Sequence, residues 1–561
     1  MNINEWFLFF LLIQIVHFTG TWRLYLLAGR KPWEALVPIY NAFILLKIIK
    51  KPSWWVVLLF FPVINILMFG ILWIETLKTF GKNSKIHVFL VLLSLGFYIM
   101  FINYSKTTKY TGKVDVRSAN GEWISSMTFA IIAATIVHTY FIQPFIIPTG
   151  SLEKSLLIGD FLFVSKFHYG ARLPTTPIAM PMVHDTIPFI KTRSYLKKPQ
   201  LPFFRIPGFQ KIKRNDIVVF NWPADTVRQF FVKEKGVKKP IDKKSNYVKR
   251  CVGIPGDTLE IRNGDILINN KKSNMPDWAK VQYTYNIFKE KGVSSRKLKE
   301  LGINEFTRIF KINNITQNSL NKLIPHIIGT QGNSINNFSV ITGSKGLPYK
   351  LIRDLGIDVK ELISKTKTIN ATLREIKILR KSDAFDSIKI NTNKTKTFNL
   401  SFFPNRFTFN WNQDNYGPVI IPKKGVKVKL ERKTYPLYKK IIEDYEKNKV
   451  VRDSNMFIIN DEKVDHYNFK QNYYWMMGDN RHKSEDSRYW GFVPEDHVMG
   501  KPIFIWMSIE GFNDGFKNWK IRWDRVFSKV SGEGERVSYL PHFLISIFLW
   551  QGIVYLKRRK K

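Results

Sequence analysis

Five long apolar runs punctuate the chain, at residues 6–22, 54–74, 86–102, 123–147 and 537–556. A helix that crosses the hydrocarbon layer needs about 20 apolar residues, so the pattern predicts several transmembrane helices, with 6–22 and 86–102 at the short limit. Residues 123–152 carry no charge at all. A cleaved leader does not fit the start, because MNINEW has Glu5 where such a leader has basic residues. Between the fourth and fifth runs the pattern changes to short stretches of β-branched residues. DIVVFN (216–221) and DTLEIRNGDILIN (257–269) read as strands. Asn263-Gly264 sits between two of them as a type I′ hairpin signal. Residues 456–460, 461–463 and 464–469 read as strand, turn and strand.

The texture changes again over 273–400, where Asn, Lys, Ser and Thr rise and helical pieces appear at 294–301, 319–327 and 373–379. This stretch reads as an insertion, with β-structure resuming near 407–422. The expected fold class is mixed: several transmembrane α-helices and a mostly antiparallel β-domain with a large insertion. The expected units are a membrane region (1–122), an anchor (123–147), a β-domain in two parts (148–272 and 401–536) around the insertion, and a C-terminal span with a basic tail (537–561).

Charge sets an orientation. The 561 residues carry a net +43. The excess is spread over most of the polar chain and no helix-turn-helix, zinc-finger or RNP pattern is present, so an anionic lipid surface is a better expected partner than nucleic acid. Arg23, Arg30, Lys31, Lys47, Lys50 and Lys51 follow the first run, Lys106, Lys109, Lys113 and Arg117 follow the third, and five basic residues close the chain. The positive-inside rule puts all three sets in the cytoplasm if the N-terminus and the β-domain are outside. With three spans before the anchor, residues 75–85 then fall outside despite Lys78, Lys82 and Lys85, which is the rule's one exception here. One cysteine, Cys251, excludes an internal disulfide and a multi-Cys zinc site, and no motif calls for a metal or a cofactor.

Candidate chemistry begins where the fourth run ends. In Pro148-Thr149-Gly150-Ser151 the serine stands on a turn at the membrane exit; it is a plain turn residue unless a base can take its proton. No histidine lies in a hydrolase pattern, and His482, between Arg481 and Lys483, reads as surface. Lys249 lies in YVKRCVGIPGD, among apolar and small residues. Burial there would disfavour its charged form and lower its pKa; on a wetted edge strand it would stay an ordinary lysine. Met476-Met477-Gly478-Asp479-Asn480-Arg481, followed by Ser484, Asp486 and Arg488, is rich in turn formers and opposite charges that could neutralise one another.

Residues 145–170 (FIIPTGSLEKSLLIGDFLFVSKFHYG), 215–223 (NDIVVFNWP), 249–257 (KRCVGIPGD), 414–418 (DNYGP) and 478–494 (GDNRHKSEDSRYWGFVP) together resemble the ordered boxes of bacterial type I signal peptidase. The resemblance implies Ser151 as nucleophile and Lys249 as general base, with Ser484 orienting the amine. It implies an oxyanion hole from the Ser151 N–H and the Thr149 hydroxyl, and supporting roles for Asp479, Asn480, Arg481, Asp486 and Arg488. Ile147, Leu152, Tyr247 and Val248 would line shallow pockets for the small residues at −1 and −3 of a signal peptide, and Arg250 would be structural. The implied partners are signal peptides of exported preproteins, the bilayer and the secretion translocon. The implied place is the inner membrane, multi-pass, with the β-domain on the periplasmic side.

The chain departs from the family in having Glu153, Lys154 and Ser155 where a Pro-Thr pair is usual, which should loosen the turn after the nucleophile and set a charged pair beside it. Trp490, Phe492, Trp506 and the 519–523 region are either core residues or aromatics that dip into lipid. The rival readings are a self-cleaving repressor-type Ser-Lys peptidase, an inactive scaffold that binds signal peptides, and a transporter built from the N-terminal spans.

Overall fold

The computed structural model describes residues 3–112, 119–226, 236–313, 315–334, 337–453 and 456–559. Lys113 and Arg117 fall outside these. Two described helices are long and apolar enough to cross a bilayer, residues Asn4–Leu27 and Leu540–Arg559, and Ser125–Phe141 is a shorter apolar one.

The N-terminal region forms helices α1 (Ile3–Leu27), α2 (Tyr40–Ile48, between the first two runs), α3 (Ile64–Thr79), α4 (Lys85–Leu93), α5 (Tyr98–Tyr104) and α6 (Ala119–Ile136). Two expected spans are corrected. The run 54–74 is not one helix: Pro62 cannot donate to a helical ladder, Val63 takes φ 72, and α3 starts only at Ile64. The run 86–102 is a helical hairpin, α4 and α5, that turns at Leu95 (φ 50) and Gly96 (φ 89). Gly96 lies against Trp73, where an added Cβ would meet the indole at 2.5 Å, so only glycine fits. Across this turn His87 and Tyr98 stack and share a hydrogen bond at 2.8 Å. Lys51 pairs with Glu75 at 2.8 Å, Thr111 N donates to Thr79 O at 3.0 Å, and Lys82 Nζ donates to Thr107 Oγ1 at 3.1 Å. These contacts join 75–82 to Lys51 and to the 107–111 segment.

The fourth run is helical only to its outer end. A π-turn, Val137–Phe141, passes into strand β1 (Ile142–Ile146), which pairs antiparallel with β2 (Asp160–Ser165). The chain continues with β3 (Ile217–Asn221), β4 (Asn246–Gly253), β5 (Thr258–Arg262) and β6 (Asp265–Ile268), then β7 (Gln282–Phe288), β8 (Thr366–Thr372) and β9 (Ser387–Ile390) within the inserted stretch, and β10 (Tyr416–Ile420), β11 (Tyr473–Met477) and β12 (Val498–Glu510) after it. The main sheet runs β1-β2-β12-β3-β4-β11 and its pairings are antiparallel. A second sheet joins β10, β5 and β6, and Asn263 and Gly264 both take positive φ at its hairpin as the turn type requires. A core of Leu259, Ile261, Tyr416, Trp475, Met477 and Phe492 closes this part. Trp490 and Phe492 are buried, Trp506 stacks on Phe163, and Trp523 is exposed.

Two small sheets make up the inserted stretch. One, β8-β7-β9, lies nearer the main domain; the other is formed by Arg308–Asn313, Ile327–Ser334, Asn337–Thr342 and Asp358–Leu362. Helical pieces form at Ser295–Glu300, Gln317–Leu323 and Leu373–Lys381. Each sheet has its own apolar core, around Tyr285, Ile287 and Leu379 and around Ile312, Leu323 and Val340.

Candidate functional site

The turn between β1 and β2 carries Ser151 on a single helical turn, Gly150–Leu152. Its base is set by Ile147, whose N–H and carbonyl bond Asp160 and Gly159 across the strands, both at 2.9 Å. Lys249 sits inside β4, opposite Val218 of β3. The lysine is 3% exposed, the serine 9%, and Lys249 Nζ lies 2.5 Å from Ser151 Oγ. Burial pushes the amine down to about 8, against the opposing pull of Asp486 and Glu485. The Tyr247 ring covers it, with Nζ 5.4 Å from the centroid. The two residues are 98 positions apart in sequence and meet because the main sheet brings β1 and β4 to one cleft.

The loop after β11 closes the other side. Gly478 is pressed so tightly between Ser484 and the Ser151 carbonyl that an added Cβ would lie 2.2 Å from Ser484 Oγ and 2.5 Å from Ser151 O. Asn480 fastens the nucleophile turn twice, with its N–H on Ser151 O (3.1 Å) and its Nδ2 on Gly150 O (3.1 Å). Asp486 takes Arg488 at 2.9 and 2.8 Å and the Gly478 N–H at 3.1 Å. Asp479 does not pair with Arg481. It binds Arg250 in a fork, Nε to Oδ1 at 2.7 Å and Nη2 to Oδ2 at 2.6 Å, and accepts the Ser155 hydroxyl at 2.6 Å. Through this fork Arg250 locks the lysine strand to the loop. Arg481 is buried with no carboxylate partner among the described residues, and its Nη1 reaches Met477 Sδ at 3.7 Å.

Other expected contacts differ. Ser484 is buried at the site, yet its Oγ has no hydrogen-bond partner among the described residues, so the contact with the lysine amine is not made. Ile147 and Leu152 are only 3% and 1% exposed and pack with Leu162, Val219 and Ile505, so they are core rather than open pocket walls. Tyr247 and Val248 are only partly buried. Thr149 is exposed and its hydroxyl makes no capping bond.

The turn after Ser151 is not loose. Lys154 takes φ 66, a conformation closed to proline, and its amine bonds Glu375 of the insertion at 2.6 and 2.8 Å. Sequence reasoning missed how deeply the insertion enters the site. Gln282 Nε2 donates to Glu153 O at 2.6 Å, and its backbone bonds Asp479 O and the Arg481 N–H at 2.9 and 3.0 Å. Asn370 Nδ2 donates to Asn480 Oδ1 at 3.2 Å. His482 is not a surface residue: Nε2 meets Asp414 Oδ1 at 2.7 Å while Nδ1 accepts the Thr284 N–H at 3.1 Å. Glu153 is half-buried, and desolvation raises its pKa. No sequence motif marks Gln282 or Asn370; only the fold brings them here. Among the described residues no cluster of metal-binding side chains occurs.

Fold and site define a class: a peptidase-like antiparallel β-domain, joined to apolar helices, with a serine hydroxyl and a lysine amine paired in its interior. Sequence comparison makes the assignment particular. The family model described as signal peptidase, peptidase S26, matches residues 120–336 and 419–507, more than half of the chain. Residues 33–113 match a family of unknown function. Signal peptidase I of Buchnera aphidicola subsp. Baizongia pistaciae is 24% identical over 379 residues, 68% of this chain and 74% of that protein. Signal peptidase I of Buchnera aphidicola subsp. Acyrthosiphon pisum is 24% identical over 458 residues, 81% and 93% of the two chains. That of Rickettsia massiliae is 28% identical over 184 residues, 33% of this chain and 53% of the relative. The chain belongs to the signal peptidase family, peptidase S26, and is a protease of the type I kind.

Proposed function

We propose that the protein is a membrane-bound serine endopeptidase that removes N-terminal signal peptides from secreted precursors, with Ser151 as nucleophile and Lys249 as general base. The observation that carries this reading is the 2.5 Å approach of Nζ to Oγ in a buried setting. An amine held near 8 is neutral in a useful fraction at neutral pH and can accept the hydroxyl proton. Oγ attacks the scissile carbonyl, Lys249 takes the proton and passes it to the leaving amine, and an acyl-enzyme forms. Lys249 then activates water to release it. The Ser151 N–H and the Thr149 hydroxyl serve as oxyanion donors, each worth roughly 2.7–4 kcal/mol in comparable sites. Asp479, Asn480, Arg481, Asp486 and Arg488 hold the loop, and Ser484 aligns the amine once substrate closes the cleft.

Tyr247 and Val248, only partly buried, border the pockets for small residues at −1 and −3. The β-domain lies on the periplasmic side of the inner membrane in a multi-pass arrangement, a reading supported by the contacts that join the basic segments 50–51, 75–82 and 107–112. Holding enzyme and precursor in one membrane, beside the translocon, raises their effective concentration. The test is cleavage of a model precursor with alanine at −1 and −3. Ser151→Ala and Lys249→Ala should each abolish it while the proteins still insert; retained processing by either variant removes the pair from the chemistry.

A further inference from the structure

Away from the serine, a cavity of about 180 Å³ lies where the outer end of α6 meets the β-domain. Lys166, Arg172, Lys243, His138 and His184 line it, with Asp242 as the one acid. Asp242 is already taken, by the Thr175 hydroxyl (3.0 Å) and by the Thr176 N–H and hydroxyl (3.0 and 2.8 Å). Lys166 is 8% exposed and has no carboxylate partner among the described residues; its Nζ reaches only the Thr139 carbonyl, at 3.0 Å. Burial and the neighbouring Arg172 push that amine down to about 7. A desolvated cation without a carboxylate partner of its own, in a cavity whose lining sets Lys166, Arg172 and Lys243 against the single acid Asp242, is costly to keep, and an anion is what would complete it.

The place suggests which anion. Tyr140, beside Thr139, donates to Pro62 O at 3.4 Å, and Val63 packs with Ala179 and Tyr195, so the helix ends and the loop after β2 meet around the cavity. That loop exposes Met180, Met182, Phe189 and Ile190, with Phe189 fully bare. An apolar rim beside a cationic pocket at the helix ends has the shape of a lipid headgroup seat.

We propose that this cavity binds a phosphate group, supplied by a phospholipid headgroup of the leaflet facing the β-domain. The lipid source rests on the membrane orientation proposed above; the phosphate site does not. The test uses the full chain in an uncharged, phosphate-free detergent, with thermal unfolding followed against added short-chain phosphatidylglycerol and, separately, inorganic phosphate. Wild type should be stabilised by the lipid, and Lys166→Met should need at least about 10-fold more of it, the scale of one lost charge-assisted hydrogen bond. Lys197→Met, an exposed lysine on the same loop, should respond as wild type does. If Lys166→Met does not fold, Lys243→Gln carries the same comparison. Equal responses of wild type and the cavity variants would overturn the proposal. A response to inorganic phosphate but not to the lipid would overturn the headgroup as source. Cleavage is not the readout, so failure of the peptidase reading leaves this outcome unaffected.

Discussion

Replacing Lys249 with methionine should abolish activity and make the protein more stable. The ordinary lysine value is 10.5 and burial holds this amine near 8. At 1.36 kcal/mol per tenfold, the folded state gives up about 3 kcal/mol wherever a free lysine would be charged. The folded amine binds its proton more weakly than the unfolded one. Wild-type stability from this group is therefore lowest below pH 8 and rises as the pH climbs from about 8 to about 10.5. Methionine fills similar space with no charge to desolvate. Its replacement leaves Ser151 Oγ without its 2.5 Å partner, an offset of about 1 kcal/mol. The net gain is about 2 kcal/mol at pH 7, which for a domain of this size is roughly 4–8 °C in the unfolding midpoint. The assay is thermal unfolding of wild type and variant in one detergent at pH 7 and pH 10. The difference cancels the other groups that titrate over this range and should shrink by most of its value at the higher pH. A variant less stable than wild type at pH 7, or a gap that does not change with pH, would refute a buried, strongly desolvated amine.

Asp479→Ala should be severe for another reason: it leaves Arg250 buried without its fork, a loss of about 3–5 kcal/mol that a limited-proteolysis midpoint would register. Asn480→Ala removes the Nδ2 bond to the Gly150 carbonyl but keeps the backbone bond to Ser151; kcat should fall about tenfold with KM little changed, as expected when only the serine's placement suffers. Glu375→Gln weakens the Lys154 bridge, which is about a fifth exposed on both sides. Stability should change by less than about 1 kcal/mol while kcat drops several-fold, measured by steady-state cleavage of a precursor.

Much of the β-domain could be read from local pattern. Asn263-Gly264 demanded a turn with two positive φ values and formed one, and the branched run after Asp216 became a central strand because both of its faces are covered. The serine and lysine were legible only through the boxes around them. Their meeting depends on β1 and β4 reaching one cleft, a long-range pairing that no window of sequence contains. The membrane region was misread where composition hides geometry: Pro62 and the Leu95-Gly96 turn break runs that hydropathy alone counts as continuous. The opposite-charge pairs near the site were expected within one loop, but Asp479 is taken by Arg250 from a neighbouring strand. The polar texture of the insertion carries no motif that ties it to the chemistry, yet Gln282, Asn370 and Glu375 touch the nucleophile turn or the loop that holds it.

The central claim is that a neutral amine beside Ser151 drives its attack. The direct measurement is the rate at which a serine-directed acylating inhibitor labels Ser151 in the full-length protein, followed by mass spectrometry from pH 5 to pH 10. The rate should climb about tenfold per pH unit at the acid end and level off above about 8, where Lys249 has lost its proton. A rate that is flat across this range, or labelling undiminished in Lys249→Met, would contradict the account.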